Sequence, residues 1–222
     1  MRFRTLALMV VVFAVAMAYV ESACVVYLQR ALSISPDQLF PLRGPDVVGS
    51  LAAIEVGREL ATLVMLASIG CLVGRSWVDR LAWTAVAFGV WDIAYYGWLW
   101  VFIGWPHSPG TWDVLFLIPV PWAAPVWAPV VVSLALIAFG LAAAYSNQLG
   151  RAARVGRERI GVALAGGLLV VLSFTLDGPS LIDGHTPGWY PWPVFVAGMA
   201  LAGWAAWTAL GAGEPERREG GS

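Results

Sequence analysis

The sequence predicts an all-α fold: a polytopic membrane bundle of about six transmembrane helices, with a proline-rich interfacial or re-entrant segment before the fourth helix. Hydrophobic residues make up 59% of the chain and charged residues only 12%, whereas a typical soluble domain carries about 25% charge. The mean hydropathy is +0.75. A chain this apolar cannot cover its own surface with polar groups, so we expect a lipid bilayer around it.

Six apolar runs are long enough to cross a bilayer, because a spanning helix needs roughly 20 mostly apolar residues. Turn-forming residues separate the runs. We predict one bundle over residues 1–211 and a disordered, polar, glycine-rich tail over 212–222. The predicted spans are 5–28, 47–74, 79–104, 124–146, 159–177 and 191–211.

The placement of arginine predicts the orientation. With six spans, Arg30 and Arg43 fall in a loop on one side of the membrane, and most other arginines fall on the opposite side. Because basic residues favour the cytoplasmic side, we expect both termini there, in a bacterial cytoplasmic membrane. The residues on that side are Arg2, Arg4, Arg75, Arg80, Arg151, Arg154, Arg157, Arg159, Arg217 and Arg218.

The N-terminal run permits a second interpretation. MRFR, an apolar stretch and then VESAC also fit a secretory signal that is cleaved to leave Cys24 as the new N-terminus. Glu21 is a poor residue just before a cleavage site, and the apolar run resumes beyond it as VVYL. The pattern therefore favours a first span and leaves cleavage of residues 1–23 open.

A proline-rich stretch precedes the fourth span. The apolar run DVLFLIPVPWAAPVWAP contains Pro119, Pro121, Pro125 and Pro129. Each interior proline removes a helical donor and clashes with the preceding turn. We expect an extended or re-entrant stretch over about 113–123 on the outer side; an interfacial loop with a kinked helix end is the alternative. Non-helical backbone at membrane depth must be buried in protein or face a watery cavity.

Acidic side chains inside the spans are the main functional signal. Glu21, Glu55, Glu59 and Asp92 are the candidates for binding an ion or a metal. A carboxylate at the bilayer centre costs at least about 2.5 kcal/mol, so such residues are normally paired or reached by water. At 1.5 Å per residue, Glu59 and Asp92 both lie about 18 Å below the outer surface. We therefore expect the four carboxylates to gather in the outer half of three neighbouring helices.

Three neighbouring residues are expected to support this group. Glu55 and Glu59 are four residues apart and share a helix face, and Arg58 between them can neutralise part of the pair. Tyr95 and Tyr96 follow Asp92 by three and four residues, where we expect their hydroxyls to hydrogen-bond to it.

Weaker candidates lie at the outer ends of the helices and in the outer loops. They are His107, Asp113, Asp177 and His185. A histidine with a nearby aspartate suggests a metal site at this mouth, although neither histidine has a known ligand spacing such as HExxH. The last two spans carry no internal charge, and small residues such as Gly198 permit close helix approach there. We interpret those two spans as scaffolding.

Three functions fit the acidic group. In the first, Arg58 and the tyrosines satisfy the carboxylates and the network fixes helix register, as in a non-catalytic subunit of a membrane complex. In the second, the carboxylates bind or translocate a cation, a proton or a small solute. In the third, they hold a divalent metal in a membrane-embedded enzyme, although the Glu-x-x-His ligand motif of di-metal bundles is absent.

Binding or translocation is the leading hypothesis, and no catalytic residue is assigned. The expected partners are the lipid bilayer and either another membrane protein or further copies of this chain. Nucleic acid is not expected, because the chain has no basic stripe.

Overall fold

The computed structural model describes residues 3–33, 35, 45–118, 120–151, 155–176 and 188–211, with backbone alone over 45–52. Six helices account for most of these residues, and each contains a segment long and apolar enough to cross a membrane. The prediction of six long apolar helices is thus confirmed. The helices are α1 Phe3–Ala31, α2 Pro45–Val73, α3 Trp77–Ile103, α4 Trp127–Gln148, α5 Arg157–Thr175 and α6 Trp192–Gly211.

Helix α3 has defined caps at both ends. The Ser76 side chain accepts a hydrogen bond from the Asp79 N–H at 3.2 Å, and the Asp79 carboxylate accepts one from the Arg75 N–H at 3.0 Å. These bonds satisfy donors that a helix start leaves free. At the other end Gly104 adopts φ +68°, a left-handed conformation that favours glycine and ends the helix.

Helix α3 is also the centre of the bundle, since it packs against α1, α2 and α4. Its buried face includes Val86 and Ala87, which are fully buried against α1 residues such as Ala14. Gly89 lets α4 approach closely, because a Cβ there would lie 2.5 Å from the carbonyl oxygen of Ser133. Helices α1 and α4 therefore pack closely on α3, and this packing sets the positions of the polar side chains between them.

Helices α5 and α6 form a close pair. A Cβ on Gly198 would lie 2.8 Å from the carbonyl oxygen of Gly166, so the small residues permit the contact as predicted. Helix α6 also contacts α4, where the rings of Trp127 and Trp192 stack with centroids 3.7 Å apart. Aromatic residues thus join the α5–α6 pair to the rest of the bundle.

A two-stranded antiparallel hairpin lies between α3 and α4. Its strands are β1, Trp112–Phe116, and β2, Trp122–Pro125, and Trp112 pairs with Pro125 at the open end. The hairpin is thus extended where the sequence predicted an extended or re-entrant stretch, but the strand pairing itself was not predicted. It is the one β element in the described part of an otherwise helical fold.

The hairpin folds back along the bundle rather than away from it. Phe116, near the tip, stacks on Phe88 with ring centroids 6.4 Å apart. Phe88 lies 15 residues before the end of α3 at Ile103, which is about 22 Å of helix. The hairpin tip therefore lies beside the middle of α3. We call the end of the bundle at Ile103 the hairpin end.

Candidate functional site: a buried carboxylate network

Arg58 on α2 joins two glutamates from different helices. Its Nε donates to Glu55 Oε2 at 3.0 Å, one turn away on the same helix. Its guanidinium also forms an ion pair with Glu21 on α1. Thr62 donates from Oγ1 to the second carboxylate oxygen of Glu21 at 3.1 Å. We call Glu21, Glu55, Arg58 and Thr62 the Arg58 cluster.

Two members of the Arg58 cluster are buried and two are half-buried. Glu21 is 8% exposed and Thr62 only 1%, whereas the side chains of Arg58 and Glu55 are 26% and 24% exposed. Charged groups at such burial are stable only when paired and hydrogen-bonded. Glu21 meets that requirement, because it forms an ion pair with Arg58 and accepts a hydrogen bond from Thr62.

Glu59, one turn from Glu55, has a different partner. Both of its carboxylate oxygens accept a hydrogen bond from the backbone N–H of Leu117, at 3.0 Å each. Leu117 directly follows β1 at the hairpin tip. Glu59 is 6% exposed, so this contact holds the tip against the buried face of α2. Sequence reasoning missed it, because the partner contributes a backbone group and no recognisable side chain.

Asp92 on α3 is satisfied by α4. Ser133 donates from Oγ to Asp92 Oδ2 at 2.8 Å, and both residues are buried. The expected partners were the hydroxyls of Tyr95 and Tyr96. The Tyr96 hydroxyl donates instead to Asp113 on β1, at 2.9 Å. A tyrosine hydroxyl ends far from its helix axis, whereas an aspartate carboxylate stays close to it, so Tyr96 reaches the hairpin.

Asp113 lies in a partly buried position on the hairpin. Burial raises the pKa of its carboxyl to about 7, although the hydrogen bonds from Tyr96 and from the backbone of Val114 lower it in part. The structure therefore places Asp113 in contact with α3, through Tyr96. His107 lies exposed in the loop after α3, and Asp177 and His185 lie outside the described residues.

Tyr95 is influenced by both groups of acids. The charges of Arg58 and Glu55, and those of Asp92 and Asp113, all act on its phenol. Its backbone carbonyl accepts a hydrogen bond from Ser22 of α1 at 3.1 Å. The Arg58 cluster and the two aspartates are therefore electrostatic neighbours and not separate sites.

We call the five acids Glu21, Glu55, Glu59, Asp92 and Asp113, together with Arg58, the carboxylate network. The Arg58 guanidinium pairs with Glu21 and Glu55, and the other donors to the five acids are neutral: two hydroxyls from Thr62 and Ser133, the Tyr96 phenol, and backbone N–H groups. Across the described ranges, no three His, Cys, Asp or Glu residues come together in a way that could hold a metal ion. Four of these acids were the main candidates from the sequence and Asp113 a weaker one; the sequence did not predict that the hairpin would bind Glu59 and that its Asp113 would bind Tyr96.

Comparisons with known proteins do not assign this chain to a family. No family model matches the chain, and searches of curated proteins and of solved structures gave no match. The six apolar helices identify a multi-pass membrane protein.

Proposed function

We propose that this protein binds protons on its carboxylate network and passes them through the membrane. The observation that carries the proposal is the excess of acids over bases in the network: three buried and two half-buried carboxyl groups and one guanidinium. If every carboxyl group were ionised, the protein interior would hold four uncompensated negative charges. Such a state is costly at low dielectric, so the network needs additional cations.

Protons fit this network better than metal ions do. A metal site needs several ligands that converge on one point, typically within about 2.0–2.6 Å of the ion. Among the described residues no three potential ligands converge, and the acids bind Arg58 and Thr62 on α2, the hairpin, α3 and α4. A proton needs only one oxygen to bind, and a row of neighbouring hydroxyl and carboxyl groups can pass it along. The arrangement supports proton binding at several points over a metal-dependent enzyme.

The membrane placement belongs to the same proposal. The arginine distribution supports cytoplasmic termini in a bacterial inner membrane, which puts the hairpin end on the outer side. In that placement, the contact between Phe116 and Phe88 supports a re-entrant hairpin whose tip lies about 20 Å below the outer surface. Ala123, Ala124 and Pro125 of β2 are buried, which fits the requirement for non-helical backbone at that depth, and β1 is half-buried. The network would thus connect to the outer side along the hairpin.

A structural role is the second candidate. It is favoured by the fact that each of the five acids has a hydrogen-bond or ion-pair partner. Buried polar networks can fix helix register without any transport. In that case the protein would be a non-catalytic subunit, with another membrane protein or further copies of itself as partner.

Proton flux into proteoliposomes separates the two candidates. The purified protein is reconstituted with a pH-sensitive dye inside the vesicles, and a valinomycin-driven potassium potential supplies the driving force. We expect flux above that of protein-free vesicles and a fall of at least about tenfold in Glu59→Gln, since a positioned proton-transfer group typically contributes more than that. Glu158→Gln is the matched control, because Glu158 is exposed at the start of α5.

Wild-type flux equal to that of empty vesicles, or undiminished flux in Glu59→Gln, would count against proton transfer. If the variant were also less stable, the structural role would gain support.

A further inference from the structure

Trp91 is a buried donor that the carboxylate network does not use. It lies on α3 beside Asp92 and is 6% exposed. Its indole Nε1 has no hydrogen-bond partner among the described residues. Buried polar groups are nearly always paired, so this N–H indicates an acceptor beyond the residues that the structure describes.

The position of Trp91 along the bundle follows from the close contact of α2 and α3. A Cβ on Gly70 would lie 2.6 Å from the carbonyl oxygen of Arg80 and 2.7 Å from the backbone nitrogen of Thr84, so Gly70 faces that turn. The two helices run in opposite directions from the short link between them. Thr62 lies eight residues from Gly70 along α2, and Trp91 lies seven residues beyond Thr84 along α3, so both lie roughly 10–12 Å from the Gly70 contact. Trp91 therefore lies at the depth of the Arg58 cluster.

The rings on either side of Trp91 locate its side chain more closely. Its ring centroid lies 5.4 Å from that of Phe88 and 6.2 Å from that of Tyr95. Phe88 contacts Phe116, next to the residue that binds Glu59, and Tyr95 lies within the electrostatic influence of Arg58. The Trp91 ring thus lies between the hairpin tip and the Arg58 cluster, on the face of α3 that borders both.

We propose that a water molecule binds at this junction of α2, α3 and the hairpin, accepts a hydrogen bond from Trp91 Nε1 and donates to the carboxylate of Glu59. The surrounding acids disfavour an anion at this point, whereas water can both accept from the indole and donate to a carboxylate. Buried waters of this kind typically make about three hydrogen bonds to otherwise unpaired groups. This inference rests on the proposed function: the water would carry protons between Glu59 and the Arg58 cluster.

Indole N–H signals in NMR spectra test this site directly. The full-length protein in nanodiscs is labelled with 15N-tryptophan, and Trp91→Phe, or Trp91→Tyr should that variant not fold, assigns the Trp91 signal. We expect a through-space cross peak between the Trp91 indole N–H and water. We also expect this N–H to be at least about tenfold less protected from hydrogen exchange than that of Trp98, because one intact hydrogen bond supplies about that factor. Trp98 is the internal reference, because its Nε1 donates to the carbonyl oxygen of Val15 at 3.1 Å.

A Trp91 signal that is as protected as that of Trp98 and lacks a water cross peak would overturn the proposal. A cross peak to lipid or detergent protons instead of water would also overturn it, because the acceptor would then be an amphiphile. In proteoliposomes we expect Trp91→Phe to reduce proton flux about tenfold, which is the factor that one hydrogen bond supplies. Trp100→Phe is the control, because Trp100 is 65% exposed. A water cross peak at Trp91 without any proton flux would contradict only the proposed function. Proton flux without a water cross peak at Trp91 would contradict only the water site.

Discussion

The backbone N–H of Leu117 donates to both carboxylate oxygens of Glu59 at 3.0 Å. This contact links an acid in the middle of α2 to the tip of the hairpin. The hairpin also carries Asp113, which accepts from Tyr96 on α3. One short β element therefore binds acids or their donors on two helices, so its position and the network depend on each other.

Replacing Glu59 is expected to free the hairpin tip. Glu59→Ala leaves the Leu117 N–H without its acceptor, at a cost of about 1–3 kcal/mol, and we expect faster hydrogen–deuterium exchange of that amide. Glu59→Gln keeps an acceptor oxygen and serves as the control, with exchange near that of the wild type. Equal protection of Leu117 in the alanine variant and the wild type would show that Glu59 does not hold the tip.

Removing Arg58 is expected to destabilise the bundle through the acids that it leaves behind. We expect Arg58→Gln to lower the free energy of unfolding by about 3 kcal/mol, at the low end for a buried pair because the arginine side chain is 26% exposed. The measurement is reversible unfolding in detergent micelles. Adding Glu21→Gln and Glu55→Gln to the variant should restore much of the loss. A single variant as stable as the wild type would contradict the pairing.

The stability of the protein is expected to depend on pH through Asp113. Burial raises the pKa of this carboxyl to about 7 in the folded state, whereas an unfolded aspartate titrates near pH 4. Between these values the folded state binds more protons than the unfolded state, so stability falls as pH rises from about 4 to about 7.

Asp113→Asn should flatten that part of the profile by up to a few kcal/mol, since each pKa unit corresponds to about 1.4 kcal/mol. Thermal unfolding of both proteins across this range measures the difference. A steeper decline in the asparagine variant, or identical profiles, would be inconsistent with a buried Asp113 carboxyl.

The contact between α5 and α6 is expected to tolerate no side chain at Gly198. Gly198→Ala would place a Cβ 2.8 Å from the Gly166 carbonyl oxygen, and we expect a loss of about 1–3 kcal/mol. Gly203→Ala, on the same helix, introduces a Cβ with nothing within 4 Å and should be neutral or slightly stabilising. Unfolding of the two variants side by side gives the comparison. Equal stability of both would mean that the helices can separate at no cost.

The sequence predicted the helices far better than it predicted the contacts among the acids. Apolar runs of about 20 residues are a direct requirement of the bilayer, so the spans could be counted. Proline spacing could exclude a helix around Pro121, but it carries no information on strand pairing. The bond between Glu59 and Leu117 uses a backbone N–H, which every residue except proline has. The direction of Tyr96 depends on where the hairpin folds, and that is a tertiary property.

The central claim is that the carboxylate network holds protons that exchange with water. Infrared spectroscopy of the reconstituted protein at neutral pH measures this directly, because a protonated carboxyl group has a C=O band apart from those of carboxylates. We predict such a band, a shift of that band on transfer to D₂O, and its decrease in Glu59→Gln but not in Glu158→Gln. A spectrum in which all carboxyl groups are ionised, or a band that D₂O leaves unchanged, would contradict the claim.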